Sequence, residues 1–326
     1  MRRLLVFLLV SAASLAAVGV AARGLVQPFA PTDAFFGLAS LSSGRWCVVG
    51  ASGVLLTSDD DGKTWTRAQL GKIYTLSWRD LFSIRFAPDR TNGWIAGEQG
   101  LILRTSDGGK TWHKQQSGVT DNLFRVASAD AQDAVAVGVN GTILYTHDGG
   151  QTWQSARQKG GLALFDVAYP DTSNVWAIGE FETILHSTDG GKTWTPQRGG
   201  KRGNFREPAY FTVRFRDGTH GWITGQGATI LVTSDGGKTW QAVTSPTKSS
   251  MFSIAFTDAR VWMAGDDGVL LDVGLNDSRQ PEAVQPTFAV LNDVAFAGKT
   301  GIAVGFSGTI LRTDDGGSHW RKVNQD

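Results

Sequence analysis

The chain has 326 residues, of which 41% are hydrophobic and 19% charged, as in a globular protein. Its 31 basic and 30 acidic residues leave a formal net charge of +1, which argues against a nucleic-acid-binding surface. Cys47 is the only cysteine, so the sequence contains no disulfide framework. Its place in an apolar, strand-like run predicts a buried, inert thiol.

The N-terminus has the pattern of a secretory signal peptide. Arg2 and Arg3 precede an apolar run, residues 4–22, which ends in the small residues Val20-Ala21-Ala22. We expect cleavage after Ala22, where a signal peptidase would read these small side chains. The alternative is an uncleaved anchor, because a run of this length just spans a bilayer.

The rest of the chain is built from a repeat of about 40 residues. The pattern Ser/Thr-x-Asp-x-Gly-x-Thr-Trp, the Asp box, occurs six times, with His319 replacing Thr in the last copy. Its aspartates are Asp60, Asp107, Asp148, Asp189, Asp235 and Asp315. A glycine that closes an apolar run marks seven units, at Gly50, Gly97, Gly138, Gly179, Gly225, Gly265 and Gly305. The sixth unit keeps this strand pattern and lacks the box.

Each unit reads as four short strands. In the second unit these are residues 81–86, 93–97, 101–105 and 111–114, separated by Gly and Asp turns. No stretch after residue 24 keeps an apolar 3.6-residue period long enough for a helix. Seven such units predict an all-β fold, a seven-bladed β-propeller of four-stranded antiparallel blades whose neighbours share the core.

The Asp box is predicted to be structural. An Asp in a tight turn accepts backbone N–H bonds, the Gly tolerates positive φ, and the Thr hydroxyl adds a local bond. We expect the Trp that starts the outer strand to bury its ring beneath the turn or against the next blade. Because equivalent turns on different blades are held apart, the aspartates are not expected to form a catalytic site.

The sequence resembles the BNR or Asp-box propellers and, more narrowly, the photosystem II stability/assembly factor family. The repeat L-F-x-[VI]-x-F, then G-W-x-x-G-x-x-G-x-I-L-x-T-x-D-G-G-K-T-W, stands at residues 81–86 and 93–112. Arg202-Gly203-Asn204-Phe205 is similar to that family's R-G-N-F segment, although the arginine-rich stretch after it is shorter here. The resemblance implies a seven-bladed, non-enzymatic propeller that assists assembly of the photosystem II reaction centre on the lumenal side.

Partner binding is predicted on the face opposite the Asp boxes. In an antiparallel meander that face carries the second-to-third-strand turns and the links between blades, including two long links at residues 70–80 and 198–208. The predicted protein-binding residues are Tyr74, Trp78, Arg79, Arg198, Lys201, Arg202, Asn204, Phe205, Arg206, Arg214 and Arg216. Such a cationic patch with aromatic anchors would bind an acidic protein segment or a lipid head group. The alternative is a solvated basic loop.

A glycoside hydrolase is the competing function class, since sialidases also carry Asp boxes. The candidate acids Glu98, Glu180, Glu182, Asp266 and Asp267 occupy short hairpin turns that reach poorly toward a common pore. No spacing predicts the two carboxyls at a defined separation that such an enzyme needs. The histidines lie in different units with no Cys partner, so neither a metal nor a cofactor is expected.

The prediction is therefore an exported propeller, periplasmic or thylakoid-lumenal, that binds another protein or a membrane-protein complex and performs no chemistry. Its client would be of photosystem II type in a photosynthetic organism, and an envelope transporter or secretion complex is the alternative. Membrane association would come only through a partner or an uncleaved N-terminal segment. The predicted divisions are a signal peptide at 1–22, a linker at 23–34 and the propeller at 35–326.

Overall fold

The computed structural model describes residues 29–41, 44–68, 79–158, 161–200, 207–274 and 281–323. Within these ranges, 28 strands form seven antiparallel sheets, and each sheet consists of four strands that are consecutive in the chain. The seven-bladed β-propeller predicted from the repeat is confirmed. The predicted signal peptide lies outside the described residues. In the part of the chain that is described, no helix has the length and apolar character needed to cross a membrane.

The blades follow one another in chain order. Blade 1 contains β1 (Phe35–Ser40), β2 (Trp46–Gly50), β3 (Leu55–Ser58) and β4 (Thr66–Arg67), and blade 2 contains β5 (Leu81–Phe86), β6 (Gly93–Gly97), β7 (Ile102–Thr105) and β8 (His113–Gln115). Blade 3 contains β9 (Leu123–Ser128), β10 (Ala134–Gly138), β11 (Ile143–Thr146) and β12 (Gln154–Ser155), and blade 4 contains β13 (Leu164–Ala168), β14 (Val175–Gly179), β15 (Ile184–Ser187) and β16 (Thr195–Arg198). Blade 5 contains β17 (Tyr210–Phe215), β18 (Gly221–Gly225), β19 (Ile230–Thr233) and β20 (Gln241–Ala242). Blade 6 contains β21 (Met251–Phe256), β22 (Arg260–Gly265), β23 (Leu270–Gly274) and β24 (Glu282–Val284), and blade 7 contains β25 (Leu291–Ala297), β26 (Thr300–Gly305), β27 (Ile310–Thr313) and β28 (Arg321–Lys322).

Burial changes from the inside of each blade to the outside. The second strands of blades 1 to 5, such as β6, are buried at every residue because both of their faces pack against neighbouring blades. In blades 6 and 7 only the first residue of this strand is partly exposed. The fourth strands form the outer edge, and all of their residues are exposed except the half-buried last residues of β8 and β24. The first strands of neighbouring blades contact one another and surround the central channel.

A short 3₁₀ turn joins the second and third strands in five blades, at Ala51–Gly53, Glu98–Gly100, Val139–Gly141, Gln226–Ala228 and Asp266–Gly268. Gly100 ends the turn of blade 2 and has a φ of +69°. A Cβ at this position would lie 2.0 Å from the carbonyl oxygen of Val119, in the link between blades 2 and 3. Glycine is therefore required where this turn passes beneath the link.

The hydrophobic core is divided among the junctions between blades. Between blades 1 and 2, for example, Val49 and Leu55 share one cluster with Ile84 and Ile95. Equivalent clusters occupy the other six junctions. As predicted from the repeat, no blade buries both of its faces without its neighbours.

Candidate functional site

The Asp boxes are closed hydrogen-bond networks on the turns between the third and fourth strands. In blade 5, Thr233 Oγ1 donates to Asp235 Oδ1 at 2.8 Å, and Thr239 donates to Oδ1 from its backbone N at 2.9 Å and to Oδ2 from its hydroxyl at 2.7 Å. These hydrogen bonds, the Thr239 hydroxyl first, lower the pKa of Asp235 to about 2. The network recurs in the other five boxes, with His319 supplying the last donors in blade 7. The carboxylates therefore stabilise separate turns.

Each box turn packs on the blade before it. In blade 1, Trp65 Nε1 donates to the Gly62 carbonyl at 3.1 Å, so the ring lies beneath its own turn as predicted. The ring belongs to the cluster shared with blade 7, and a Cβ at Gly62 would lie 2.5 Å from Ile302 of that blade. Of the two predicted positions, beneath the turn or against the next blade, the structure shows the first, and the neighbour that the turn contacts is the preceding blade.

The opposite face carries a ring of phenylalanines around the central channel. In six blades the second residue of the first strand is Phe, and in blade 7, where this residue is Asn292, Phe306 from the turn after β26 takes the place. The phenylalanine ring consists of Phe36, Phe82, Phe124, Phe165, Phe211, Phe252 and Phe306. From Phe306 through Phe36 to Phe252, the six successive pairs have ring centroids 5.3 to 6.0 Å apart, and every member except Phe252 is half-buried.

A β-bulge produces this arrangement. In every blade the pairing of the first and second strands shifts register at the second residue, for example between Leu81 and Ser83 in blade 2. A bulge re-aims the side chain of the extra residue. The shift lies where the chain enters the blade, so the phenylalanine ring belongs to the face that carries the links between blades, which we call the link face.

The structure separates the predicted protein-binding residues. Arg79 and Arg198 lie in the two long links on the link face, and Arg198 binds Glu182 Oε2 through Nε and Nη2, both at 3.0 Å. Arg214 and Arg216 lie at the far end of β17, toward the Asp boxes, and do not join them. The remaining members, Tyr74, Trp78, Lys201, Arg202, Asn204, Phe205 and Arg206, lie outside the described residues.

Five charged side chains meet in the channel between the two faces. Arg214 Nη1 lies 2.6 Å from Asp166 Oδ2, and Arg125 Nε lies 3.1 Å from the other oxygen of this carboxylate. Arg85 Nη1 lies 3.2 Å from Asp293 Oδ2, and Arg125 Nη1 lies 4.0 Å from the same atom. We call these five residues the channel cluster. The channel cluster was not predicted from the sequence. Charged residues at the third and fifth positions of otherwise apolar first strands were the signal that could have indicated it.

The carboxylates of the channel cluster also join neighbouring blades. Asp166 Oδ2 in blade 4 accepts a hydrogen bond from Val213 N of blade 5 at 3.0 Å, and Asp293 Oδ2 in blade 7 accepts one from Leu38 N of blade 1 at 2.9 Å. Burial opposes their ionisation, but the nearby guanidinium groups, Arg214 first for Asp166, keep the pKa of both carboxyls below the usual value. Both aspartates are therefore charged at neutral pH.

Two of the acids named for the hydrolase alternative join their turns to the residue that precedes the first strand of the same blade. Glu98 Oε2 accepts a hydrogen bond from Asp80 N at 3.1 Å, and Glu180 Oε2 accepts one from Ala163 N at 2.9 Å. Both turns lie on the link face in separate blades. Among the residues that the structure describes, no group of three His, Cys, Asp or Glu side chains could hold a metal ion.

Comparisons with known proteins agree with this architecture. A family model described as photosynthesis system II assembly factor YCF48 matches residues 72–160 and 204–281, which is just over half of the chain, and a BNR/Asp-box repeat model matches residues 185–196. The comparison with curated proteins gives no match.

Several solved structures share the fold. YCF48 from Cyanidioschyzon merolae matches with a TM-score of 0.66 and 20% identity, over 86% of this chain and 95% of that one. A YCF48 bound to D1 peptide matches with a TM-score of 0.69 and 20% identity, over 88% and 95%. Virginiamycin B lyase from Staphylococcus aureus matches with a TM-score of 0.70 and 14% identity, over 87% and 94%. At these identities the likeness shows the fold alone.

Proposed function

Since the chain belongs to the photosystem II assembly factor YCF48 family, we propose that it is a non-enzymatic scaffold that binds another protein through its link face. The observation that carries this proposal is the phenylalanine ring, a half-buried apolar surface at the centre of that face. Protein interfaces combine an apolar, aromatic-rich centre with a polar rim. Aromatic side chains at such a centre supply much of the binding free energy.

The rim of the link face supplies charge. Arg198 is half-exposed beside Glu182, and Arg79 stands at the end of the other long link. We include the predicted cations Lys201, Arg202 and Arg206 in this rim. Positive charge around an apolar centre would steer and orient an acidic protein segment, with an effect that weakens as salt rises.

The client that we propose first is a D1-type segment of a photosystem II complex. A solved relative is a YCF48 bound to D1 peptide, which supports this choice of ligand. The site of action would be the lumenal or periplasmic side of a membrane, reached through the signal sequence at residues 1–22 with cleavage after Ala22. Mass spectrometry of the exported protein tests that cleavage, and an intact Met1 would contradict it.

Fluorescence anisotropy with a labelled D1 peptide tests the binding face. The double variant Phe82→Ser/Phe124→Ser removes two adjacent members of the phenylalanine ring and should weaken binding about tenfold or more. Charge reversal at Arg202 and Arg206 should weaken it too and reduce its salt dependence. The control, Lys110→Glu/Lys192→Glu, changes exposed residues of the Asp-box face and should bind normally. Melting temperatures establish that each variant is folded.

The results test the proposed binding face and the proposed client separately. Equal binding by wild type and Phe82→Ser/Phe124→Ser would contradict the proposed face. If wild type does not bind the D1 peptide, the photosystem II client is wrong. Crosslinking in the native envelope, read by mass spectrometry, would then test whether the phenylalanine ring contacts a transporter or secretion complex instead.

A further inference from the structure

The channel opens into two neighbouring cavities on the Asp-box face. Their volumes are about 350 Å³ and about 170 Å³, and Arg85 and Arg214 line both of them. These arginines come from blades 2 and 5, on nearly opposite sides of the channel, and stand between the two cavities. The site is therefore remote from the link face and independent of the function proposed above.

The channel cluster carries an excess of positive charge. Three guanidinium groups share the two carboxylates of Asp166 and Asp293. The Arg125 side chain is only 9% exposed, and its Nη1 has no hydrogen-bond acceptor among the described residues; the same holds for Arg214 Nη2. Burial lowers the pKa of Arg214 to about 10, which still leaves it charged at neutral pH. An uncompensated buried charge is costly, and a bound anion would neutralise it.

The larger cavity sets the class of anion. Its lining includes Phe86, Phe256 and Phe296 together with the guanidinium-bearing residues Arg85, Arg90 and Arg214. Apolar and aromatic side chains combined with a few charged groups are typical of small-molecule sites of this volume. Guanidinium groups match a carboxylate with two parallel hydrogen bonds. We propose that this cavity binds a small monocarboxylate with an apolar body, its carboxylate between Arg85 and Arg214.

Titration calorimetry with benzoate as the probe tests the site. Wild type should bind benzoate saturably at one site and should not bind benzamide, which has the same ring without the charge. Arg85→Gln leaves two arginines and two aspartates in the channel cluster and should bind benzoate at least about tenfold more weakly. The control Arg321→Gln removes an exposed arginine of blade 7 that pairs with Asp314 outside the channel, and should bind as wild type does.

A second measurement does not depend on a variant. Crystals of the full chain soaked in 4-bromobenzoate should show bromine anomalous density in the larger cavity, with the carboxylate facing Arg85 and Arg214. Failure of benzoate to bind at millimolar concentrations would overturn the proposal. So would unchanged binding by folded Arg85→Gln, or bromine density found only outside the cavity.

Discussion

The Asp boxes show how far one short motif determines local structure. At Asp148, burial opposes ionisation, but hydrogen bonds from Thr152 and Thr146 outweigh it and lower the pKa to about 2. All donors lie within four residues of the carboxylate. Because these interactions are local, the sequence pattern alone predicts them. The packing of the turn on the preceding blade depends on another unit, and the sequence pattern did not predict it.

The pH dependence of stability tests the role of a box aspartate. The pKa of Asp235 is lowered on folding from an unfolded value of about 3.9 to about 2. Its contribution to stability is therefore present above about pH 4 and is lost as the pH falls through about 2. We expect Asp235→Asn to melt at a lower temperature than wild type near neutral pH, and the difference to shrink between about pH 4 and pH 2.

Calorimetric melting temperatures across that range give the measurement. Thr239→Val serves as a companion variant, because it removes the hydroxyl donor that contributes most to the shift at Asp235. It should show a smaller loss of melting temperature with the same dependence on pH. A difference between wild type and Asp235→Asn that stays constant down to pH 2 would contradict the role given to the carboxylate.

Cys47 illustrates a prediction about a single residue that needed only its own strand. It was expected to be buried because apolar residues surround it in the sequence, and the structure confirms this burial. Loss of hydration raises the pKa of the thiol to about 12, although Arg45 acts in the opposite direction. The thiol is therefore protonated at neutral pH, in agreement with an inert side chain.

At the scale of the element, the first strands carry information that periodicity alone did not reveal. Phe is the second residue of the first strand in six units, and strict alternation would place it on the opposite side of the sheet from the residue before it. The β-bulge redirects the Phe toward the channel, and no local signal marks it. The seventh member is harder still to predict. Blade 7 has Asn292 where the other blades have Phe, and Phe306, from the turn after β26, takes its place in the phenylalanine ring. The phenylalanine ring is thus a three-dimensional feature.

Boundaries of the predicted strands differ from the observed ones for a related reason. The third strand of blade 2 begins at Ile102 because Leu101 follows the preceding 3₁₀ turn as its C-terminal cap. The fourth begins at His113 because Thr111 and Trp112 belong to the box turn, where Thr111 donates to Asp107. Alternating residues continue into both turns, so the pattern alone extends the strands too far.

Two substitutions at the third position of a first strand separate hydrogen bonding from charge. Ser83 Oγ accepts a hydrogen bond from Val126 N of the next blade at 3.4 Å, so Ser83→Ala should lower the free energy of unfolding by about 1 kcal/mol. Asp166→Asn keeps an acceptor but leaves Arg125 and Arg214 without their carboxylate, and should cost about 3–5 kcal/mol. Urea denaturation measures both. Equal losses would mean that Asp166 acts only as a hydrogen-bond acceptor.

At the scale of the whole molecule, the described strands close the propeller without any exchange of strands between its first and last blades. Blade 7 consists entirely of β25 to β28, and blade 1 begins with β1. Backbone and side-chain hydrogen bonds make the junction. Gly308 N donates to the Asp33 carbonyl at 2.8 Å. The Asn292 amide donates to the Phe35 carbonyl at 2.8 Å, and Arg312 Nε donates to the Asp61 carbonyl at 2.8 Å. Glycine markers predict seven units. They carry no information on how the first unit meets the last.

The closing junction should therefore open more easily than the others. Ile302 lies fully buried between blades 7 and 1, and Ile178 lies fully buried between blades 4 and 5. Replacing either by Ala should lower the free energy of unfolding by about 2–5 kcal/mol. Between blades 4 and 5, the chain continues from β16 to β17 and limits how far the two blades can separate. Blades 7 and 1 contain the last and the first described strands, so no such connection restrains them.

Native-state hydrogen exchange distinguishes the two cases. In Ile302→Ala we expect faster amide exchange confined to β1, β2 and β25 to β27, at a free energy below that of global unfolding. In Ile178→Ala the protected amides should exchange together through global unfolding. Local exchange of the same extent in both variants would mean that the side-chain contacts at the closing junction resist opening as well as a continuous chain does. In that case the Asp293–Leu38 hydrogen bond and the contacts of Asn292 and Arg312 would be strong enough to replace strand exchange.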